Sequence, residues 1–162
     1  MINRRQFIKT ATKLLAGAVA FPEVVFATQV IRGSLTNRII QAESGWDSMA
    51  YREDTQATGL MQIKPNGALA EWNKYRSGKK YSLKDMFNPQ RNIEVGKWYL
   101  HRILNHYHPH YKLDSHEPNV LASWNIGPPK HAKFFGDAIE NFKDLPGQTK
   151  EFIKKVTGKN YS

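Results

Sequence analysis

Apolar residues recur every three or four positions in several stretches of the chain, which is the spacing of one helical face. The first such face carries Ile31, Leu35, Ile39 and Ala42. Gly45 follows directly and is a natural stop, because glycine tolerates the left-handed backbone at which many helices end. The pattern predicts a helix whose last turn contains Glu43.

The longest periodic stretch begins at Asn88 and Pro89, a good capping residue followed by a residue suited to the first helical position. Its apolar stripe consists of Ile93, Gly96, Leu100, Ile103, Leu104 and Tyr107. This stripe predicts a helix of about four turns. The histidine-rich stretch that follows, residues 106–118, is predicted to be a loop.

Three shorter helices complete the pattern. They are predicted after Pro65 with Leu69, Trp72 and Tyr75, over Val120–Trp124, and over residues 149–158. Residues 46–63 are predicted to form a loop with a short ordered piece. The sequence shows no internal repeat and no convincing run of alternating strand residues, so the predicted fold class is mainly α in one domain.

Composition adds a charge to this picture. The chain has 162 residues, 40% of them hydrophobic, and a formal net charge of +10. Such a charge suits an anionic partner: nucleic acid, anionic lipid, or a bacterial wall with acidic peptides and polymers. The absence of cysteine excludes disulfides, cysteine-zinc sites and lipid attachment through an N-terminal cysteine.

The N-terminus resembles an export signal. Arg4 and Arg5 precede a short apolar stretch, residues 14–21, in the layout of a twin-arginine signal. We predict that residues 1–27 are removed, that the mature chain starts near Thr28, and that it is periplasmic or secreted. The stretch is shorter than the ~20 residues of a bilayer span, so no stable span is expected in the mature chain. An uncleaved anchor and a cytoplasmic helix are the alternatives.

Glu43 is the first candidate for chemistry. The helix macrodipole at its position disfavours a carboxylate by ~0.3–1 kcal/mol, and burial would raise the pKa of its carboxyl further. Both effects favour a protonated acid near neutral pH, as general acid catalysis requires. An exposed glutamate at a helix end is the plain alternative.

Two further motifs could build a cleft. Gly59, Met61 and Gln62 combine close backbone approach, a soft apolar surface and an amide that can bind hydroxyl and acetamido groups. Trp124 and Asn125 combine an aromatic face for sugar rings with an amide that can orient a carboxyl. Taken alone, the first motif also fits an ordinary core turn.

Four motifs in this order resemble the soluble lytic transglycosylase domain: "ESG", "GLMQI", "NPQRNIEVGKWYL" and "SWNIGP". The resemblance runs from about Leu35 to Val156. It implies that residues 28–162 form a single lysozyme-like domain of the goose-type/transglycosylase kind, with a sugar-binding cleft. The small size is similar to that of specialised transglycosylases beside secretion and conjugation machines, which are therefore expected partners.

The resemblance also implies roles for individual residues. Glu43 matches the catalytic acid and base, and the predicted substrate-binding residues are Ser44, Gly59, Met61, Gln62, Trp124 and Asn125. Asn88, Asn92 and Gly96 match a segment that is mainly structural. Trp124 and Phe152 each stand where the family commonly has tyrosine, which puts the hydrogen-bond support of the cleft in doubt. No cofactor or metal is expected.

The implied reaction cleaves the β-1,4 bond between N-acetylmuramic acid and N-acetylglucosamine and closes a 1,6-anhydro ring, with peptidoglycan strands as substrate. A hydrolytic muramidase is an alternative, which needs a second carboxylate to activate water. The carboxylates available for this by number are Asp47, Glu53, Asp54 and Glu94, all expected to be solvated. A non-catalytic peptidoglycan-binding module is the third interpretation. The export signal argues against a nucleic-acid binder.

The remaining histidines and tryptophans are assigned plainer roles. His106, His108 and His110 are predicted to lie in a solvated loop rather than at a metal site, because Pro109 interrupts any regular element that could align them. Trp46, Trp72 and Trp98 could line either the cleft or the core, and helical position favours packing for Trp72 and Trp98.

Overall fold

The computed structural model describes residues 35–135 and 142–161, which belong to one unit of the chain, residues 34–162. The predicted export signal, the start near Thr28 and the helical position of Ile31 lie outside the described residues. The boundary between residues 1–27 and 28–162 therefore stays a prediction.

The first described helix, α1, covers residues 35–44 and ends where the apolar pattern predicted. Leu35, Ile39 and Ile40 are buried on its inner face. Gly45 adopts φ 61°, the left-handed conformation that glycine enters without steric cost. This stop leaves Glu43 in the last turn of α1.

Residues 46–63, predicted as a loop, contain a small antiparallel hairpin. Strand β1 (Tyr51–Arg52) pairs with β2 (Ala57–Thr58), and a single bridge joins Thr58 to Ile63. The prediction missed the hairpin because strands of two residues are too short to show alternation.

Helices α2 and α3 form the next layer and pack against each other. α2 covers Ala68–Tyr75 and starts after a turn at Pro65, slightly later than predicted. A 3-10 helix, Leu83–Phe87, leads into α3, Pro89–Arg102. The predicted cap is present, since the Asn88 side chain accepts a hydrogen bond from the Arg91 backbone N–H at 3.1 Å.

The chain stays helical beyond α3, where a loop was predicted. A π-helical turn, Ile103–Tyr107, and a short α-helical turn, His108–His110, continue the segment. The prediction of a solvated loop was wrong for His108, which is fully buried. His108 Nε2 lies 3.0 Å from Ser123 Oγ, and Ser123 Oγ lies 2.6 Å from His131 Nδ1.

Three further helices follow among the described residues. α4 covers Glu117–Ile126, α5 covers Pro128–Phe135, and α6 covers Gly147–Thr157 after a 3-10 turn at Phe142–Asp144. α4 packs against both α5 and α6. The sequence pattern did not predict α5, because its two leading prolines resemble a terminator.

Asn92 holds the segment after β2 against α3. Its amide nitrogen donates to Thr58 O and Met86 O, both at 2.8 Å, and its amide oxygen accepts from Met61 N at 2.8 Å. A β-carbon at Gly96 would lie 2.2 Å from Met61 Sδ, so only glycine allows this approach. The segment that carries Gln62 is thereby fixed to α3.

The tryptophans divide between core and surface. Trp72 is buried and meets the half-buried Trp98 edge-on, with ring centroids 5.5 Å apart. Trp46 is 49% exposed. Among the helices of the described residues, none has both the length and the apolar character needed to cross a membrane.

Candidate active site

Glu43 opens onto a cleft of about 470 Å³ between the hairpin, α2 and the end of α4. The residues around this cleft include Arg52, Gln62, Lys64, Glu71, Tyr99, Trp124 and Asn125. The volume lies within the range of about 300–1,000 Å³ typical of small-molecule sites. Three predicted site residues other than Glu43 therefore meet in one cleft, although they come from distant parts of the chain.

The Glu43 carboxyl is half-buried, and burial raises its pKa above the ordinary value. A hydrogen bond from Trp124 and the positive charges of Arg52, Lys64 and Lys155 act in the opposite direction. The upward shift prevails, so the protonated form persists to higher pH than in an exposed glutamate. A carboxyl in this state can donate a proton to a substrate oxygen.

Trp124 supplies the hydrogen bond that the missing tyrosine put in doubt. Its indole Nε1–H donates to Glu43 Oε1 at 3.1 Å. The Trp124 ring also packs against the buried Tyr99 ring, with centroids 5.8 Å apart. The Glu43 carboxyl therefore accepts a hydrogen bond from an indole N–H, at the position where the family commonly has a tyrosine hydroxyl.

Phe152 is the second position at which the family commonly has tyrosine. Its ring is buried on α6 and borders a second cavity beside Glu43. A phenyl ring has no polar atom, so it contributes packing alone.

Asn125 and Gln62 are each oriented by contacts with the protein. Thr149 Oγ1 donates to Asn125 Oδ1 at 2.9 Å, which leaves the Asn125 amide nitrogen to donate into the cleft. Gln62 Nε2 donates to Ala50 O at 3.2 Å and to Gly59 O at 3.0 Å, which leaves its amide oxygen as the acceptor. Asn125 and Gln62 thus offer the cleft an amide donor and an amide acceptor.

Ser44, Gly59 and Met61 make their observed contacts with the protein itself. Ser44 Oγ donates to Leu60 O at 2.9 Å and ties α1 to the segment after β2. A β-carbon at Gly59 would lie 2.2 Å from Met86 O, and Met61 is fully buried. These contacts position the cleft wall, and direct contact of the three residues with a substrate stays a prediction.

Glu71 is a cleft residue that sequence reasoning missed. It lies on α2, borders the same cleft as Glu43, and accepts a hydrogen bond from Arg102 Nε at 2.6 Å. Nothing in its sequence neighbourhood marks it, because its place depends on how α2 packs on α3. The candidate carboxylates Asp47, Glu53, Asp54 and Glu94 are all exposed.

A second cavity of about 600 Å³ adjoins the cleft and shares Glu43, Arg52, Lys64 and Asn125 with it. Its far side is formed by α5 and α6. Within residues 35–135 and 142–161, no group of three or more histidine, aspartate or glutamate side chains is placed to hold a metal ion.

The comparison with protein families gives this site its context. A family model described as the transglycosylase SLT domain matches residues 27–144, a range that contains Glu43 and all the predicted substrate-binding residues. The chain belongs to the transglycosylase SLT domain family. Helix α6, which carries Thr149 and Phe152, lies beyond the range that the family model matches.

Two solved structures share the fold of this SLT domain. The 70 kDa soluble lytic transglycosylase from Escherichia coli matches with a TM-score of 0.61 and 22% identity, over 76% of this chain and 20% of that one. An inactive Glu-to-Gln variant of lytic transglycosylase Slt from Pseudomonas aeruginosa matches with a TM-score of 0.60 and 25% identity, over 84% and 23%. This chain spans about a fifth of the length of each. The predicted mainly α, lysozyme-like fold is confirmed.

Proposed function

We propose that this SLT domain is a peptidoglycan lytic transglycosylase that cleaves the β-1,4 bond between N-acetylmuramic acid and N-acetylglucosamine. The observation that carries the proposal is the half-buried Glu43 carboxyl, which has a raised pKa and faces a cleft with oriented amide groups. The family match supports the same activity.

The reaction proceeds in two proton transfers at Glu43. The protonated carboxyl donates its proton to the glycosidic oxygen while the bond from that oxygen to the muramyl C1 breaks. The acetamido group of the substrate stabilises the positive charge at C1. The Glu43 carboxylate then accepts the proton of the muramyl 6-hydroxyl, whose oxygen bonds to C1. No water is consumed, and Glu43 ends protonated.

The neighbours of Glu43 have separate tasks in this scheme. The Trp124 N–H stabilises the carboxylate that forms after the first transfer, because a hydrogen bond to a charged acceptor is stronger than one to a neutral acceptor. The Asn125 amide nitrogen and the Gln62 amide oxygen bind hydroxyl and acetamido groups of the sugars. Together they hold the 6-hydroxyl near C1.

A hydrolytic muramidase is the second candidate, and Glu71 is the observation that favours it. This carboxylate borders the same cleft as Glu43 and could activate a water molecule. The ion pair of Glu71 with Arg102 instead favours a role as a fixed, charged group in the lining of the cleft. Products formed with water, and lost on Glu71→Gln, would select this candidate.

The direct test is the release of soluble fragments from purified sacculi by the full chain. We expect Glu43→Gln to lower the rate by at least about a thousandfold, because it removes both proton transfers from one residue. The matched control is Glu53→Gln, which makes the same charge change at an exposed position of the hairpin. Equal rates for the Glu43→Gln variant and the unaltered chain would refute the proposal. The inactive Glu-to-Gln variant named for the Pseudomonas protein supports this choice of substitution.

Export and recruitment are proposals that rest on the sequence. The twin arginines Arg4 and Arg5 support transport to the periplasm or beyond, where peptidoglycan is accessible. N-terminal sequencing of the processed protein would test removal of residues 1–27. Recruitment by a secretion or conjugation machine is supported by the resemblance to small specialised transglycosylases.

A further inference from the structure

The segment that joins α2 to the 3-10 helix carries positive charge without any acid. Residues 74–84, which we call the basic turn, contain no aspartate or glutamate but five cations: Lys74, Arg76, Lys79, Lys80 and Lys84. All five side chains are exposed. The basic turn lines neither the cleft nor the second cavity, so the proposed reaction does not account for it.

The basic turn is held in place by the end of α2. The Trp72 indole N–H donates to Lys79 O at 3.0 Å. The Asn73 side chain donates to Tyr81 O at 2.7 Å and accepts from Tyr81 N–H at 2.9 Å. Gly78 between them has φ 107°, which glycine adopts without steric cost. An ordered backbone therefore presents the cations to solvent.

Aromatic rings orient two of these cations. The Arg76 guanidinium lies 4.9 Å from the Trp72 ring centroid, and Lys79 Nζ lies 5.3 Å from the Tyr81 ring centroid. The two rings stack on each other with centroids 5.6 Å apart. A cation above a ring keeps N–H groups that can donate to an anionic partner.

The basic turn is not neutralised by close ion pairs. None of the ion pairs among the described residues includes one of its five cations. The acids beside it have other partners, since Asp85 pairs with Arg91, and Glu94 accepts a hydrogen bond from the Tyr81 hydroxyl at 2.8 Å. Unpaired cations collected in one exposed segment attract an anionic surface.

Tyr75 adds an aromatic ring to this charged surface. It is 50% exposed and lies between two cations of the turn, with Lys74 Nζ 5.0 Å from its ring centroid. Tyrosine is enriched at membrane–water interfaces, because its apolar ring suits the headgroup region while its hydroxyl stays hydrated. Lysine and arginine beside it bind anionic headgroups.

We propose that the basic turn binds the surface of an anionic phospholipid membrane, with the Tyr75 ring among the headgroups. Exposed cations spread along a turn match a flat charged surface better than a small anion that needs an enclosing pocket. Each lysine or arginine near such a surface contributes about fivefold in affinity. The inference goes beyond the proposed reaction and does not depend on it.

The first test measures co-sedimentation of the full chain with lipid vesicles. The vesicles consist of phosphatidylcholine, either alone or with about 30% phosphatidylglycerol to supply negative charge. We expect binding to the anionic vesicles to be at least about tenfold tighter, and the difference to shrink as salt is added. Equal binding to both kinds of vesicle would overturn the proposal.

Matched variants separate the basic turn from the overall charge. Lys79→Gln with Lys80→Gln removes two cations of the turn, whereas Lys133→Gln with Lys154→Gln removes the same charge from exposed positions of α5 and α6. We expect the first pair to weaken binding to anionic vesicles by about thirtyfold and the second by less than about threefold. Circular dichroism checks that both pairs are folded. Equal weakening by both pairs would refute a role of the turn.

A single label tests which face meets the lipid. The chain has no cysteine, so Ser77→Cys places one polarity-sensitive fluorophore in the basic turn, and Ser115→Cys places one at an exposed position before α4. We expect anionic vesicles to shift the emission of the label at position 77 to shorter wavelength. The absence of this shift, or an equal shift at position 115, would contradict the proposal.

Soluble polyphosphate is the competing source of phosphate groups. We expect Tyr75→Ser to weaken vesicle binding severalfold and to leave polyphosphate binding unchanged, because only a membrane receives the apolar ring. Vesicle binding that is unaffected by Tyr75→Ser would assign the basic turn to a soluble polymer instead. Tighter binding of polyphosphate than of anionic vesicles at equal phosphate concentration would do the same.

Discussion

The hydrogen bond from Trp124 orients the Glu43 carboxyl, the proposed acid, with an indole in place of a phenol. The N–H has a single proton and accepts nothing, so it always presents a donor to the carboxyl. A tyrosine hydroxyl can turn and either donate or accept. In the proposed reaction, the tryptophan stabilises the carboxylate that exists between the two proton transfers.

Trp124→Phe keeps an aromatic ring and removes the donor. Because the hydrogen bond from Trp124 lowers the pKa of the Glu43 carboxyl, its loss raises that pKa. The turnover rate should fall by about tenfold, and the alkaline limb of the pH profile, where the acid is lost, should move to higher pH. Trp124→Tyr is the control and should recover part of the rate. A Phe variant with an unchanged profile would show that the indole N–H does not act on Glu43.

Features of single residues could be predicted where they depend on neighbouring residues in the sequence. The Asn88 cap and the Gly45 stop depend on neighbours in sequence, and both were confirmed. The burial of His108 depends on Ser123 and His131, which lie on other helices, so no local pattern could show it. Glu71 enters the cleft only through the packing of α2 on α3.

At the scale of elements, the cleft wall depends on the close approach of α3 and the segment after β2. Met61 Sδ occupies the space that a side chain at Gly96 would need. The Asn92 hydrogen bonds then hold the backbone on either side of this contact. Gln62 owes its place in the cleft to this packing.

Gly96→Ala should destabilise the domain by about 1–3 kcal/mol, because the added methyl group overpacks a buried contact. The matched control is Gly147→Ala at the start of α6, where a β-carbon meets nothing within 4 Å. Urea unfolding followed by circular dichroism measures both free energies. Equal stability of the two variants would show that the Met61 contact relaxes without cost.

In the molecule as a whole, the buried histidines connect three helical segments. Their burial makes the folded protein less stable at acidic pH. Burial lowers the pKa of His131 to about 4 and also lowers that of His108. The unfolded chain therefore binds more protons than the folded chain between pH ~6.5 and ~4, and stability falls as pH falls through this range. His131 alone accounts for about 2–3 kcal/mol.

Chemical denaturation of the unaltered chain from pH 7.5 to pH 4 should show this loss. His110→Asn, which changes an exposed histidine, should leave the slope unchanged. A free energy of unfolding that stays constant over this range would mean that His108 and His131 are protonated in the folded protein without penalty.

We propose that Glu43 serves as acid and then as base without a water molecule. The most direct measurement is a mass spectrum of the soluble products released from purified sacculi by the full chain. We expect fragments one water lighter than those with a reducing end, and we expect them to disappear with Glu43→Gln. Reducing-end fragments from the unaltered chain would refute this role of Glu43 and assign the activation of water to a second carboxylate, with Glu71 as the first residue to replace.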